Sequence, residues 1–488
     1  MGMRARLTTS SIRRRLRAAL VIVCLAAAIA AGVAVPQAAA AGSAAKAPTA
    51  APLNPEFRAY LARQEDTRQR ESIADVGGYL PSPADMSRLE DADLASDLFV
   101  FPAQFDLRTM GKLTPVRDQG PFGTCWAFGA YGSLESFLLP GSERDFSEEH
   151  MALTHGFDWD INQGGNLDTA VAYLVRWGGP VGEADDPYGD ETTPPGLTPE
   201  MHVQDVLYLP PRATALDNDD IKWALQTYGA VNSSLFFDTL DYDSGTYAFY
   251  NSDDSGGGHG VDIVGWDDTY PASAFASPPP GDGAFIVRNS WGSAWGDAGY
   301  FYVSYYDEEL ARHTPSVFTA EPLGVYDLVY QYDPLGRCTS MGYGTEVAWM
   351  ANRYVAGRGE SLKAVAFYAL GPGTEYEVYL GSSLTKRTMV VSGSIDVPGY
   401  RTVALPAEQR LPAGKPFYVI VRLREPAGSY PVAVEVPIAG YSSAFESQSG
   451  QSFMSDSGRS WTDMGKPKSK YPCNVCLKAY TVTDAPTP

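Results

Sequence analysis

Cysteine and histidine are scarce in this chain, since each occurs only five times among 488 residues. Cys24 lies in an apolar N-terminal segment, which leaves Cys125, Cys338, Cys473 and Cys476 for the rest of the chain. Too few ligands surround the Cys473-x-x-Cys476 pair to favour a zinc site, and no βαβ pattern favours a redox motif. In an oxidising compartment we expect a disulfide, either within this pair or from it to Cys338.

Basic residues are also few. The chain carries 37 Lys and Arg against 58 Asp and Glu, for a formal net charge of -21. So acidic a surface repels nucleic acid and anionic membranes, and neither is expected as a partner. We interpret the excess of acidic residues as a feature that keeps the protein soluble outside the cell.

The first 41 residues differ in kind from the rest. Their six arginines precede an uncharged run from Ala18 to Val35, and the small residues 38–41 follow. This order is typical of a cleaved secretory signal, although the run is long enough for a membrane anchor as the alternative. We predict a secreted or extracellular protein and leave association with the cell surface open.

The following segment, residues 42–98, is Ala/Pro-rich at first and then charged. Apolar residues recur at helical spacing from Pro55 to Ser72, and Gly77-Gly78 then break the pattern. We interpret residues 42–98 as a pro-segment, with an exported linker as the alternative.

The pattern from residue 99 to 319 changes from helices to strands. Helices are predicted over Cys125–Leu139, Leu167–Trp177 and Asp217–Tyr228, the last with Asp217 as its N-cap. Strands are predicted over 261–264, 284–287 and 300–303. Helices first and sheet second indicate an α+β domain with two lobes.

Residues 320–483 consist almost entirely of short strand patterns separated by Gly/Pro turns, with no repeat of fixed period. This spacing predicts an all-β sandwich domain, followed by a tail of residues 484–488.

Cys125 is the first candidate for chemistry. It follows a glycine-containing loop and opens a predicted helix, where free N–H donors and the positive end of the helix dipole favour a thiolate. A thiolate nucleophile needs a base within hydrogen-bond reach. Of the five histidines, His259 is the best candidate, because it follows Gly256-Gly257-Gly258 and enters a strand that can face a cleft.

Asn289 is the third candidate. It ends a predicted strand and opens the sequence Asn289-Ser290-Trp291-Gly292. An amide at this place can hold an imidazole in one orientation, and Trp291 can shield that hydrogen bond from water.

These three segments resemble the active-site segments of papain-like cysteine peptidases, in the family's order. The matching stretches are Gln119 to Phe128, Gly258-His259-Gly260-Val261 and Asn289-Ser290-Trp291-Gly292. The resemblance implies a two-lobed fold with a helical lobe and a β-barrel-like lobe. It also implies cleavage of protein or peptide substrates through a thioester, without a cofactor or a metal.

The same resemblance implies a role for each matched residue. Cys125 would be the nucleophile, His259 the base and acid, and Asn289 the group that orients His259. Gln119 would complete the oxyanion hole with the N–H of Cys125. Substrate contacts are implied for three groups of residues: Gly164 and Gly165 along the substrate backbone, Trp291, and, from a looser alignment, the pocket residues Leu167, Ser234 and Gly260.

The C-terminal part, residues 320–483, resembles lectin-like β-sandwich domains attached to some prokaryotic relatives. A carbohydrate or cell-surface ligand follows only from that resemblance. Three aromatic residues could stack on sugars or fill the core, with the core favoured: Tyr441, Phe453 and Trp461. Two other functions stay open, namely an inactive binding protein and a Cys-His acyl transferase such as a transpeptidase.

Overall fold

The computed structural model describes most of the chain, in the ranges 46–65, 78–89, 92, 94, 99–253, 256–426, 428–466 and 471–484. The predicted secretory signal, the start of the pro-segment and the end of the tail lie outside the described residues. So does the part of the predicted first helix beyond Glu65. All the described residues belong to one compact unit, and none of their helices has the length and apolar character needed to cross a membrane.

The helices lie in the first half of the chain, as the sequence predicts. Their bounds are α1 Pro55–Glu65, α2 Cys125–Leu138, α3 Glu148–Thr154, α4 Leu167–Val175 and α5 Asp219–Thr227. Helix α3 was not predicted, and it is short, with Ser147 accepting a hydrogen bond from the His150 N–H at its start. The predicted N-cap of α5 is wrong, because Asn218 precedes the helix while the Asp217 carboxylate accepts from the Ala213 N–H.

Helix α2 is enclosed on several sides, which explains its small residues. A Cβ atom on Gly129 would lie 2.4 Å from the Asn232 amide nitrogen, and one on Gly132 would lie 1.9 Å from an Asp262 carboxylate oxygen. Only glycine therefore lets the strands approach the helix that begins at Cys125 so closely.

The strands of the first domain form the second lobe. Their bounds are β2 Gln104–Asp106, β3 Met201–Tyr208, β4 Val231–Phe237, β5 Tyr242–Asp243, β6 Ala248–Phe249, β7 Gly257–Asp267, β8 Ala284–Arg288, β9 Tyr300–Ser304 and β10 Ser316–Pro322. They are ordered β3-β10-β4-β7-β8-β9-β6-β5, with β2 paired to β7. The long strand β7 is central, and it passes against the N-terminus of α2.

The C-terminal part is all-β, as predicted. Its strands are β11 Leu328–Tyr330, β12 Thr339–Gly342, β13 Val347–Val355, β14 Glu360–Ala369, β15 Thr374–Gly381, β16 Arg387–Ile395, β17 Gly399–Arg410, β18 Pro416–Arg424, β19 Val432–Glu435, β20 Ser452–Ser455, β21 Thr462–Asp463, β22 Asn474–Val475 and β23 Leu477–Thr483. One six-stranded sheet has the order β16-β15-β18-β13-β20-β21. Its inner face shares an apolar core with the strands β14, β17 and β23.

A single sheet of thirteen strands runs through both domains. Strand β17 pairs with β3 at Gly399 with Leu207 and at Tyr400 with Val206. Beside this pairing the Thr402 N–H donates to the Asp205 carboxylate at 2.7 Å. The peptide ladder therefore fixes the orientation of the β-sandwich relative to the two-lobed domain.

The predicted disulfide is wrong. Cys125, Cys338, Cys473 and Cys476 are all free and buried. Cys473 and Cys476 flank the short strand β22 and enter two different apolar cores, while Cys338 lies in a third. The thiols of Cys473 and Cys476 point to separate cores and cannot be joined without moving the backbone.

The described part of the predicted pro-segment contacts both domains. Residues Thr49–Ala50, strand β1, pair antiparallel with β12 of the β-sandwich. On α1, Phe57 packs against Tyr441 with ring centroids 5.3 Å apart, and Tyr60 packs against Trp159 at 6.0 Å. Tyr441 is completely buried in this cluster and is a core residue.

Candidate active site

Cys125 is the first residue of α2 and is completely buried. A Cβ atom on Gly260 would lie 2.9 Å from the Cys125 backbone, so strand β7 crosses directly over the first turn of the helix. The backbone N–H groups of Gly260 and Gly78 face the thiol and favour its ionised form. Burial outweighs them and raises the pKa of Cys125 to about 11.

His259 precedes Gly260 on β7 and therefore lies at the same crossing. Its Nε2 is 2.8 Å from Asn289 Oδ1, which also accepts a hydrogen bond from the Ser290 N–H at 2.8 Å. The Ser290 N–H can donate only to an acceptor, so the Asn289 atom that it contacts is the amide oxygen. His259 Nε2 contacts the same oxygen and therefore carries the proton of the imidazole ring. The other ring nitrogen, Nδ1, is then the basic one.

Trp291 covers the His259–Asn289 hydrogen bond. Its ring stacks on the imidazole with centroids 4.6 Å apart and an angle of 25°. Phe237 packs edge-on against Trp291 at 4.9 Å. This aromatic shell buries His259 and lowers its pKa to about 4, although the bond to Asn289 acts in the opposite direction.

Gln119 is tied to the loop that carries Asn289. Its Oε1 accepts from the Ser290 hydroxyl at 2.6 Å, and its Nε2 donates to the Phe122 carbonyl at 2.8 Å. The Gln119 carbonyl accepts from the Tyr188 hydroxyl at 2.8 Å, which fixes the backbone as well. An amide nitrogen has two protons, so one N–H of Gln119 stays available for a further acceptor.

Gly164 and Gly165 lie at the edge of the same cleft. A Cβ atom on Gly165 would lie 2.4 Å from the Trp126 ring, and Gly164 has a φ of +104°, which favours glycine. The Gly165 N–H and carbonyl both pair with an extended chain. That chain is the stretch 78–80 of the predicted pro-segment, since Gly165 N donates to Gly78 O at 3.1 Å and Leu80 N donates to Gly165 O at 2.8 Å.

The more loosely aligned pocket residues also lie beside Cys125. Ser234 on β4 pairs with Gly260 on β7, and Leu167 begins α4. Tyr79 of the predicted pro-segment packs against the apolar cluster to which Leu167 belongs.

The remaining histidines hold the fold together. His150 hydrogen-bonds to the Tyr173 hydroxyl at 2.6 Å, and His155 accepts from the Phe157 N–H at 3.0 Å. His202 stacks on a tryptophan with ring centroids 3.5 Å apart, and His313 contacts Glu309 at 2.9 Å.

Sequence reasoning missed two contributors to the site. Tyr188 links the Gln119 carbonyl to the Thr124 hydroxyl at the start of α2, and no local pattern distinguishes it from other tyrosines. The stretch from Gly78 to Leu80 was interpreted only as a helix break. An apolar pair after two glycines was the available signal that this stretch is extended and inserts into a groove.

Two family models match this chain and cover different parts of it. Residues 101–317 match the papain family of cysteine proteases, and residues 329–481 match the lectin like domain. A cathepsin L-like peptidase of Aedes aegypti is 29% identical over 216 residues, which cover 41% of this chain and 58% of the relative. Cysteine proteinase 15A of Pisum sativum is 32% identical over 216 residues, 41% of this chain and 57% of the relative. The chain thus spans less than two thirds of these curated relatives.

One solved structure extends the similarity to both domains. It contains the cysteine protease and lectin-like domains of Cwp84, a surface layer associated protein of Clostridium difficile. The TM-score is 0.77 at 25% identity, and the match covers 91% of this chain and 100% of that one. A structure of Cwp84 after propeptide cleavage gives a TM-score of 0.69 at 26% identity over 78% of this chain and 99% of that one.

Proposed function

Because residues 101–317 belong to the papain family of cysteine proteases and residues 329–481 form a lectin-like domain, we propose that this chain hydrolyses peptide bonds of proteins outside the cell. One observation carries the proposal. Strand β7 places His259, held by Asn289, over the helix N-terminus where Cys125 lies. A thiol, an oriented imidazole and a free helix N-terminus supply a nucleophile, a base and an oxyanion site.

In the proposed mechanism, Nδ1 of His259 takes the proton of Cys125 and the sulfur attacks the peptide carbonyl. The developing oxyanion is bound by the Cys125 N–H, free at the first helical position, and by the Gln119 amide. The C–N bond then breaks as His259 protonates the departing amine, which leaves a thioester on Cys125. A water molecule, deprotonated by His259, releases the acid and restores the thiol.

The pro-segment keeps this site latent in the proposal. Its residues 78–80 occupy the backbone positions on Gly165 and Gly258 that an extended substrate needs, with Tyr79 N donating to Gly258 O at 2.9 Å. With residues 78–80 in place Cys125 is completely buried, and this burial raises its pKa to about 11, while burial beneath Trp291 lowers the pKa of His259 to about 4. At pH 7 both groups are therefore neutral, and the thiol is a poor nucleophile.

Gly78→Val is expected to open the site. A Cβ atom at Gly78 would lie 2.8 Å from the Gly123 backbone, so valine does not fit and the segment is displaced. The less buried thiol ionises more readily, and each unit of pKa changes the thiolate fraction about tenfold. We expect a thiol-directed epoxide to label Cys125 at pH 7 at least about tenfold faster than in wild type, followed by peptide mapping.

Two further variants test separately whether residues 78–80 block the site and whether His259 activates Cys125. Ala62→Val changes an exposed residue of α1 in the same pro-segment and should label at the wild-type rate. His259→Ala in the Gly78→Val background should lose the fast labelling. Equal rates in wild type and Gly78→Val would reject latency, and labelling that ignores His259 would reject the proposed base.

The two other functions from the sequence lead to different products. An inactive binding protein would not react with the epoxide, whereas a transpeptidase would react but join the acyl group to an amine. Mass spectrometry of the products from one protein substrate distinguishes them, because hydrolysis incorporates one water oxygen at each new carboxyl terminus.

Saccharide binding by the lectin-like domain is a second proposal, carried by the outer face of the six-stranded sheet. There the Arg387 guanidinium lies over the rings of Trp349, Tyr379 and Trp461, at 4.6, 5.2 and 5.8 Å from their centroids. All four side chains are partly exposed, as is Phe453 on the same sheet. Flat aromatic faces beside a hydrogen-bond donor suit the alternating apolar and hydroxyl surfaces of sugars.

Trp461→Ala is expected to weaken this binding about tenfold, because a few aromatic side chains supply most of the binding free energy of a small interface. Affinity electrophoresis in gels that contain cell-wall polysaccharide measures the change. Trp223→Ala removes a partly exposed tryptophan of the protease domain and should migrate like wild type. If no polysaccharide slows the migration of the wild-type protein or of Trp461→Ala, saccharide binding by this face is contradicted.

A further inference from the structure

A lysine and an aspartate form a completely buried ion pair in the lectin-like domain. Nζ of Lys478 lies 2.9 Å from Oδ2 of Asp333, and both side chains are 0% exposed. Gln331 Oε1 accepts a further hydrogen bond from the same Nζ at 2.8 Å. Oδ1 of Asp333 has no hydrogen-bond partner among the residues that the structure describes. The domain therefore encloses an amine and a carboxyl group in direct contact and away from water.

The pair lies where the first and last strands of this domain meet. Strand β11 pairs antiparallel with β23, with Tyr330 opposite Ala479. Asp333 follows the end of β11 by three residues, and Lys478 directly precedes Ala479 on β23. Leu477 and Ala479, on either side of Lys478, are both buried in an apolar core. The backbone that carries the two groups is therefore held in place.

An ion pair in such surroundings is costly, because both charges lose their hydration. Burial raises the pKa of Asp333, although Lys478 acts in the opposite direction. Transfer of one proton from Nζ to the carboxylate converts the pair into a neutral amine and a neutral acid, which a dry site favours. The neutral amine has a lone pair and stays beside the carboxyl group, the arrangement in which intramolecular reactions are strongly accelerated.

A second lysine–aspartate pair in the chain differs in exactly this respect. Nζ of Lys222 lies 2.6 Å from the Asp268 carboxylate, but the Asp268 side chain is 37% exposed. Water stabilises both charges there, so the ammonium keeps its proton and cannot act as a nucleophile. Near Lys478, by contrast, the further carboxyl group of Glu435 is buried, and burial raises its pKa to about 8. At pH 7 Glu435 is mainly uncharged and does little to hold Lys478 as an ammonium.

We propose that Lys478 and Asp333 condense to an intramolecular amide, an isopeptide bond that links β23 to β11. Nζ attacks Cγ of the protonated Asp333 carboxyl group, a C–N bond forms and one C–O bond breaks. The proton that Nζ gives up joins the departing hydroxyl, so one water is released. Both buried charges disappear, and the step needs neither an oxidant nor a reductant.

The amide connects residues that are 145 positions apart, and it restricts the unfolded chain as a disulfide does. The cysteines that the structure describes are all free. The lectin-like domain thus gains a covalent link between its first and last strands that reducing agents do not break. This inference does not depend on the proposed peptidase function.

Peptide mapping of the full-length protein, denatured and reduced, tests the proposal. After digestion with trypsin we expect peptides 313–337 and 471–488 to be joined, with a combined mass lower by one water. Cleavage after Lys478 should be blocked, because acylation removes the positive charge of its side chain. Recovery of 313–337 and 471–478 as separate peptides of full mass would overturn the proposal.

Lys478→Arg is the matched control. Arginine keeps a positive charge beside Asp333, but its guanidinium stays protonated and does not attack the carboxyl group. We expect 313–337 to be recovered unjoined from this variant, whereas Lys222→Arg should keep the joined peptides. Joined peptides in Lys478→Arg, or loss of one water that maps to Lys222 and Asp268 instead, would contradict the assignment. The wild-type measurement stands even if Lys478→Arg fails to fold.

Discussion

Replacing Cys125 by alanine in the Gly78→Val protein is expected to lower kcat for peptide hydrolysis about 10⁴-fold or more. The sulfur forms the covalent bond to the substrate, and no other described thiol approaches the cleft, since the other three lie in separate cores. His259→Ala should cost about as much, because the thiol is a weak nucleophile without its base. The double variant should be no slower than either single variant, since the two groups act as one unit.

The matched control is Cys338→Ala, which removes another buried free cysteine without touching the cleft. It should keep the activity of the Gly78→Val protein. Circular dichroism and the unfolding midpoint of each variant show whether the fold survives. Hydrolysis that persists in Cys125→Ala, or that disappears equally in Cys338→Ala, would contradict the proposed nucleophile.

Local sequence signals were sufficient to place the candidate chemistry on its elements. Cys125 begins a helix, His259 lies on a strand after three glycines, and Asn289 follows a strand directly. Each of these positions depends on turn residues and periodicity within about ten neighbours, which a single sequence displays.

The contacts between distant segments were beyond such signals. Strand patterns do not identify their partners, so the pairing of Tyr400 with Val206 that joins the two domains could not be foreseen. The spacing of Cys473 and Cys476 suggested a disulfide. Spacing alone, however, does not tell in which direction the two side chains point. The structure sends those two side chains to opposite sides of β22.

The occupant of the cleft was missed for a related reason. Gly78 belongs to the helix-breaking signal and Tyr79 follows it, and an extended stretch without its own partner strand has no periodicity to recognise. Its conformation is imposed by Gly165 and Gly258, which lie far along the chain. The elements that carry Cys125, His259 and Asn289 could thus be predicted individually, whereas the burial of these residues and their shifted pKa values could not.

The second large effect concerns an ion pair that joins the domains. Arg337 of the lectin-like domain is 2% exposed and lies with Nη2 2.7 Å from the carboxylate of Asp168 on α4. Ser82 of the predicted pro-segment donates to the other oxygen of the same carboxylate. The guanidinium also lies over the rings of Tyr208 and Tyr368, at 5.2 and 5.8 Å.

Arg337→Met is expected to lower the free energy of unfolding by about 3–5 kcal/mol. Methionine fills a similar volume, but among the described residues the Asp168 carboxylate then stays buried without a positive partner, with Ser82 as its remaining side-chain donor. Denaturant titration followed by tryptophan fluorescence measures the loss. Arg410→Met, which breaks the exposed pair with Asp484, should cost less than about 1 kcal/mol.

The double variant Arg337→Met with Asp168→Leu separates charge from packing. If the single variant is unstable because a lone carboxylate is buried, removing that carboxylate should recover most of the lost stability, since apolar replacements of buried pairs are often neutral. If instead the guanidinium contributes mainly by packing on its two tyrosine rings, the double variant should remain as unstable as Arg337→Met. If Arg337→Met is at least as stable as Arg410→Met, the contact between Arg337 and Asp168 does not hold the two domains and the predicted pro-segment together.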